Sequence, residues 1–309
     1  MNDESARPFW RRVFRARAPG RIIALTATRN EDWVLGLTLR ASLSYCDAVV
    51  ITDHLSNDRT SDIVEAARRE FPHREISLRR CEDSEWMEMD VRQELLERAR
   101  ALGGTHFVLA DADELPTGNL LSGLRARVLS AARGRFLSLP MISAYHGIQN
   151  FRWDGMWGSA SQMPWCFRDS PKLHFHLAGE HQLHRRVPFG AVPGRRLTPV
   201  HAAGGIFHLQ FVDAMRLKAK AVWYKMIETL RYPARRTPAQ LNEIYDWTLR
   251  DDGAELQAIP DAWWEPYRAR GWMEYFQPRS TPWHLAEVQR LFRQHGAAAF
   301  AGLELHGLV

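Results

Sequence analysis

Residues 107–110, Phe-Val-Leu-Ala, form an apolar run that stops abruptly at Asp111-Ala112-Asp113-Glu114. An uninterrupted run of this kind fits a strand buried on both faces, as in a parallel sheet covered by helices. In extended backbone Asp111 and Asp113 would leave such a strand on the same side. Two carboxylates so placed make a hard-cation site. A pair seldom fills the shell of Mg²⁺ or Mn²⁺ alone, so phosphate oxygens of a substrate are expected to supply further ligands. An isolated Asp-x-Asp is also a common acidic turn, and its weight depends on what precedes it.

What precedes it is a regular alternation. Residues 21–28 and 47–53 are continuous apolar runs, and the second also ends in a carboxylate, Asp53. The turn formers 54–60 lead into a helix that Thr60 or Ser61 can cap, with Ile63, Ala66 and Ala67 facing inward. Residues 75–79 form a third short strand, and Asp90 is placed to cap a helix whose apolar face is Leu95, Leu96, Ala99 and Leu102 before Gly103-Gly104 ends it. Residues 33–43 are expected to be helical despite imperfect periodicity. The pattern predicts an α/β layer with a Rossmann-like, mostly parallel sheet. Ligands of such sheets sit beyond the carboxyl ends of the strands, which is where Thr28, Asp53 and Asp111 fall.

Beyond residue 121 the alternation weakens. Residues 135–143, 162–168 and 205–211 are predicted strands, 213–231 a helix, and 232–309 a helical C-terminal extension. The expected organisation is a basic arm over 1–20 and one catalytic domain over 21–231, divided at 120 into nucleotide and acceptor halves, with the extension after it.

Composition removes several alternatives. With 45% hydrophobic and 25% charged residues the chain is not disordered. The formal charge of +5 is concentrated in the arm, where Arg7, Arg11, Arg12, Arg15 and Arg17 face only Asp3 and Glu4. No basic stripe with interleaved aromatics continues into the body, so nucleic acid is not an expected partner. The arm interleaves Phe9, Trp10, Val13 and Phe14 with its arginines, which suits either a frayed terminus or peripheral contact with an anionic membrane. Cys46, Cys81 and Cys166 are odd in number, far apart and in no metal-ligand spacing, which points to a reducing compartment. Without a long apolar run or an apolar N-terminal region, a cytoplasmic protein is expected, at most peripheral at the inner face of the membrane.

Thr28-Arg29-Asn30-Glu31 after the first strand, Asp53-His-x-Ser-x-Asp58-x-Thr60 after the second, Arg92 near a helix start and Asp111-Ala-Asp113-Glu114 after the fourth strand occur in the order found in family 2-like glycosyltransferases of the GT-A fold. The resemblance covers about residues 20–120. It implies an inverting transfer of a sugar from a UDP-, GDP- or dTDP-sugar to a glycan, lipid-linked or other hydroxyl acceptor, with Mn²⁺ or Mg²⁺ as cofactor. Thr28, Asn30 and Glu31 would line the nucleotide, Asp53 would meet its base or ribose, and Asp58 would support that loop. Arg92 would approach the nucleotide or its diphosphate. Asp111 and Asp113 would hold the cation, Asp113 more directly, with Glu114 behind them and His208, then His181, as the downstream histidine. Inversion also needs a carboxylate to deprotonate the acceptor. No acidic pair of the usual kind follows the motif, and the candidates in order are Glu180 and Asp154. Trp153 and Trp157 could stack on an acceptor sugar.

Two other functions remain open at the level of sequence. One is a non-catalytic protein that keeps the fold and binds a nucleotide sugar. The other is a hydrolase with Zn²⁺ on His174, His176, His181 and His184. A nucleotidyltransferase would want a Gly-rich phosphate loop after the first strand, and 28–31 has none.

Overall fold

The computed structural model describes residues 20–81, 87–154, 162–176, 186–194 and 203–309; the basic arm, Trp157, Glu180, His181 and His184 lie outside the described residues. The first part alternates as its apolar runs require: β1 (Ile22–Thr28), α1 (Asp32–Tyr45), β2 (Ala48–His54), α2 (Thr60–Glu70), β3 (Glu75–Cys81), α3 (Glu88–Ala101) and β4 (His106–Leu109). Then come β5 (Glu114–Pro116), α4 (Leu121–Leu129), β6 (Arg135–Ser143), β7 (Asn150–Arg152), β8 (Gln162–Arg168), β9 (Val192–Pro193) and β10 (Ile206–His208). The remainder carries α5 (Ala214–Arg231), α6 (Pro238–Asp246), β11 (Leu256–Ala258), α7 (Asp261–Arg268) and α8 (Trp283–His295). No described helix is long and apolar enough to cross a membrane.

The main sheet has the order β3-β2-β1-β4-β8-β6-β10-β5, with β9 on β6. β3, β2, β1 and β4 are parallel, β8 runs against both β4 and β6, and β10 is parallel to β6. The fold is therefore mixed α/β with a mostly parallel first half. Every residue of β2 and β4 is buried, as the continuous apolar runs require. The chain leaves β1 toward β2 on one side, while β4 lies on the other, so the sheet has a switch point between β1 and β4. β4 ends at Leu109, opposite Leu25, whereas β1 continues to Thr28. A notch opens at this step.

Local details differ from the sequence expectation for physical reasons. Asp111 and Asp113 do not extend the strand: the Glu114 N–H donates to the Asp111 carbonyl at 3.0 Å, closing a turn before β5. Thr60 is the first residue of α2 rather than its cap, and both its N–H and its hydroxyl donate to Asp58. Asp90 lies inside the first turn of α3, which starts at Glu88, where its charge still suits the helix N-terminus. Residues 205–211 give only three strand residues before a 3-10 turn, and Asp213 caps α5 by accepting from the Arg216 N–H at 2.8 Å.

The imperfect periodicity of α1 also has a cause, since the helix is buried almost all round. Leu35, Leu39 and Leu43 pack on the sheet, while Trp33, Val34, Leu37 and Ala41 meet Trp263, Trp264, Tyr267 and Trp272 from α7 and the turn after it. A Cβ at Gly36 would come within 2.7 Å of the Tyr275 Cβ, so this residue permits the close approach. The segment after 232 thus contributes to the main core, and α6 and α8 cover α5 in a further cluster.

α1 also braces the acidic turn. The buried Thr38 hydroxyl donates to the Ala112 carbonyl at 2.8 Å, and the Leu209 N–H donates to the Asp113 carbonyl at 2.9 Å. Thr38→Val keeps the shape and removes the donor, leaving a buried carbonyl unpaired at a cost of about 1–3 kcal/mol. Thermal unfolding should show a lowered Tm for this variant, and an unchanged Tm would mean that the bond does not brace the turn.

Candidate active site

The notch opens into a cavity of about 660 Å³ with two unlike ends. At one end are Thr28, Glu31, Glu88, Arg92, Asp111, Asp113, Glu114, Arg186, His208 and Lys220, from six separate stretches of chain. At the other are Trp223, Tyr224, Tyr245, Trp247, Trp283 and His284.

The ionic end is a set of compensated charges. Arg92, on α3, donates to Glu88 at 2.8 Å and lies 3.4 Å from both Asp111 oxygens. Arg186 is consumed by structural bonds: it forks onto Glu114, reaches Asp111 at 3.3 Å and donates to the carbonyls of Pro164 at 2.6 Å and Leu109 at 3.1 Å. Asp113 lies 3.8 Å from the Lys220 ammonium and 3.7 Å from His208 Nε2. Glu31 has a different kind of partner, since it accepts from the indole N–H of Trp33 and forms no ion pair among the described residues.

Burial sorts these groups by charge. Desolvation opposes ionisation of Asp111, but Arg92 and Arg186 outweigh it and hold its carboxyl well below the usual range. Burial pushes Glu114 up to about 7, more than Arg186 restores, and pushes Glu31 up to about 7, assisted by Asp113. His208 is lowered to about 4 by burial despite Asp113, so it is a neutral imidazole at physiological pH. Burial works against the charge of Lys220, yet Asp113 and its other neighbours raise its pKa, so the ammonium is retained.

Of the residues expected from sequence, Thr28, Glu31, Arg92, Asp111, Asp113 and His208 are brought together here. Asn30, Asp53 and Asp58 do not line the cavity. Their polar atoms hold the loops at the strand ends: Asn30 adopts φ 51° and exchanges hydrogen bonds with Ser56 and Asn57, Asp53 accepts from the Ser56 N–H, and Asp58 accepts from the Asp32 N–H. Asp53 is buried, with 1% of its surface exposed. Asp154 is likewise off the cavity, held by Arg152, whose Nε and Nη2 donate to its two carboxylate oxygens and lower its pKa. Trp153 packs its ring edge on Phe151. His174 and His176 are exposed, with His176 3.3 Å from Asp90. Among the described residues, no group of three or more His, Cys, Asp and Glu side chains stands close enough to hold a metal ion alone.

Sequence reasoning missed Arg186, Lys220 and the aromatic wall. Lys220 had a usable signal, since Leu217, Ala221 and Tyr224 place it on the inward face of α5, where an unpaired charge is costly. Arg186 had none, because what gives it a role is a contact with residues some seventy positions earlier.

Most of the buried side-chain polar atoms that lack a partner among the described residues belong to this cavity: Thr28 Oγ1, Arg29 Nε, both polar atoms of Gln162, His208 Nδ1, Trp223 Nε1, Trp283 Nε1 and His284 Nδ1.

No protein-family model matches the chain, and no curated protein matches it. Solved structures resemble it loosely. A mycobacterial protein is 17% identical over 41% of this chain, with a TM-score of 0.29, and the chain spans 41% of that protein's length. A 4-diphosphocytidyl-2C-methyl-D-erythritol synthase is 13% identical, with 48% of this chain and 75% of that one covered and a TM-score of 0.30. The mannosyltransferase PcManGT from Pyrobaculum calidifontis, in complex with GDP-Man and Mn²⁺, is 13% identical, with 93% of this chain and 80% of that one covered and a TM-score of 0.36. At these scores the functional reading rests on the site itself.

The Arg186–Glu114 fork gives a pH-dependent expectation. Arg186→Met leaves Glu114 buried beside Asp111 without its partner, which costs about 3–5 kcal/mol when the carboxylate is ionised. Because burial already raises Glu114, it can take a proton at pH 5 and escape most of that cost. Denaturant unfolding should therefore show a larger stability loss at pH 8 than at pH 5, and an equal loss at both would contradict the buried pair.

Proposed function

We propose that this chain is a divalent-metal-dependent, inverting glycosyltransferase that moves a sugar from a nucleoside-diphosphate sugar to a hydroxyl acceptor. The observation that supports it most is the meeting of the Asp111–Glu114 turn with Arg92 and Lys220 at a switch-point notch. A diphosphate needs cations around it, and a neutral sugar beside it needs hydrogen-bonding groups. The ionic end offers both.

Asp113 and His208 fit a bound divalent ion, with Asp111 beside them. His208 is neutral and its Nε2 lies 3.7 Å from Asp113, and a carboxylate with an imidazole is a donor set Mn²⁺ accepts more readily than Mg²⁺. The described residues alone do not complete a shell, so diphosphate oxygens of the donor would supply the rest. When bound, such an ion supplies positive charge to the departing nucleoside diphosphate.

The chain's own residues carry the other steps. Lys220 and Arg92 hold the diphosphate and stabilise the charge that grows on it as the sugar-to-phosphate bond breaks. Arg186 keeps Asp111 and Glu114 in place. Asp53 and Ser56 hold the loop that positions Asn30 and, next to it, Glu31 at the cavity. The acceptor proton goes to Glu31, the cavity carboxylate without a basic partner among the described residues, poised near 7 for general base catalysis. Of the two carboxylates expected from sequence for this role, Asp154 lies off the cavity and Glu180 is outside the described residues.

Two measurements test this reading. Wild-type protein should gain melting temperature from Mn²⁺ plus one of the nucleoside diphosphates, a ligand at a hundred times its Kd adding about 2.7 kcal/mol. Asp113→Asn should lose that gain and transfer sugar slower by orders of magnitude, and a wild-type Tm unmoved by every nucleoside diphosphate would remove the proposal. Glu31→Gln should abolish transfer and change the pH dependence of stability in EDTA. The raised pKa of Glu31 stabilises the fold below the ordinary value of 4.5 and loses that contribution as pH rises through about 7. The variant should therefore be more stable than wild type at pH 8 by on the order of 1 kcal/mol, and no difference there would contradict the raised pKa of Glu31.

A further inference from the structure

Glu31 occupies a position where its side chain has a local use that it does not take. It is the N-cap residue of α1, and its carbonyl accepts from the N–H groups of Val34 at 3.1 Å and Leu35 at 2.8 Å, so its backbone is fixed. A side-chain oxygen at such a position ordinarily satisfies one of the open N–H groups of the first turn. The Glu31 carboxylate makes no capping bond. Instead Oε2 accepts from the indole N–H of Trp33, while Oε1 has no hydrogen-bond partner among the described residues, and Glu31 lines the cavity.

Trp33 is a donor held rigidly. It is buried, its ring is tilted against Phe276 with centroids 5.8 Å apart, and its carbonyl accepts from the Gln277 N–H at 2.7 Å. Over its ring lies Arg216, from the first turn of α5, with the guanidinium 4.0 Å from the ring centre. Arg216 is itself buried, donates to the Ser280 carbonyl and hydroxyl at 3.0 Å each, and forms no ion pair among the described residues. A buried cation is costly without a compensating charge. Of the carboxylates that act on Arg216, Glu31 acts most strongly, and Trp33 is the side chain that touches both. A cation over an indole also polarises its N–H and makes it a stronger donor.

We propose that Trp33 and Arg216 are positioning residues for the base: Arg216 holds and polarises the indole, and the indole N–H fixes one oxygen of Glu31 so that the other is presented to the acceptor hydroxyl. The inference rests on the reading of Glu31 given above and adds the two residues through which the fold aims it. Neither Trp33 nor Arg216 lines the cavity, so their effect on transfer passes through Glu31 and not through contact with the donor. The Trp33 bond and the Arg216 charge both favour the ionised carboxylate, the form that accepts a proton, against burial and Asp113. Without the bond, the side-chain torsions of Glu31 are released, and a misplaced base costs rate while donor affinity is kept.

The test uses the full chain, isotope-labelled in its tryptophans, with Mg²⁺ in place of Mn²⁺ to keep the magnetic resonance spectra sharp. The indole N–H signal of Trp33 is the one that Trp33→Phe removes. It should move upfield when Glu31→Ala takes away the acceptor, and an unmoved signal would overturn the inference. Release of nucleoside diphosphate from a panel of nucleotide sugars measures turnover. Trp33→Phe and Arg216→Met should each lower kcat about ten- to hundredfold, part of what a general base contributes, with the donor KM and the thermal shift by nucleoside diphosphate plus Mn²⁺ as in wild type. Wild-type kcat in both variants, or loss of the thermal shift in a folded variant, would overturn the positioning role. Should Trp33→Phe not fold, the comparison of wild type with Glu31→Ala identifies the signal and Arg216→Met supplies the kinetics. A wild-type protein that no nucleoside diphosphate stabilises would overturn the donor reading instead, while the indole signal still reports the contact between Trp33 and Glu31.

Discussion

The structure depends on holding several carboxylates together at one sheet edge. Asp111, Asp113 and Glu114 lie within four residues, and Glu31 and Glu88 face the same cavity. At an effective dielectric of about 20, two like charges 4 Å apart repel by roughly 4 kcal/mol, so the turn survives only with cations brought to it. These come from α3 as Arg92, from the segment before β9 as Arg186 and from α5 as Lys220. The site is therefore assembled by tertiary structure. Arg186 is the strut of this arrangement, with its donors spent on Glu114, Asp111 and two carbonyls, whereas Lys220 makes a single, longer approach to Asp113 and remains suited to a ligand's charge.

The backbone around the turn follows the same logic. Early termination of β4 creates the notch, and the bonds from Thr38 and Leu209 fix the turn that fills its rim. α1 can reach the turn because it is buried between the sheet and the aromatic cluster of α7. The C-terminal segment therefore both supports the acidic turn through α1 and closes the cavity through α8. A chain cut near residue 232 would lose part of the main core as well as the aromatic wall.

Much of this was legible in the sequence, because the informative signals were local. Continuous apolar runs gave the parallel strands, and the abrupt stop after Ala110 gave the ionic end of the cavity. Arg92 and His208, expected near a donor from the resemblance, also line that end. The residues that lie off the cavity, and those the sequence did not single out, have a common physical origin. Asn30, Asp53 and Asp58 are turn residues whose carboxylates and amides can serve either a ligand or their own backbone, and local pattern does not say which. Here the backbone takes them. Lys220, Arg186 and the aromatic wall depend on contacts between distant elements, and the periodicity of α1 was blurred because both of its sides are buried.

The central claim is that the ionic end of the cavity receives a nucleoside diphosphate. The most direct measurement is a crystal structure of the protein with the nucleoside diphosphate that stabilises it most, in the presence of Mn²⁺. The account predicts the diphosphate in the notch, within hydrogen-bonding distance of Lys220 or Arg92, with the ion on Asp113 and His208 and the aromatic wall left open. A diphosphate bound away from the Asp111–Glu114 turn, or a nucleotide occupying the aromatic wall, would contradict it.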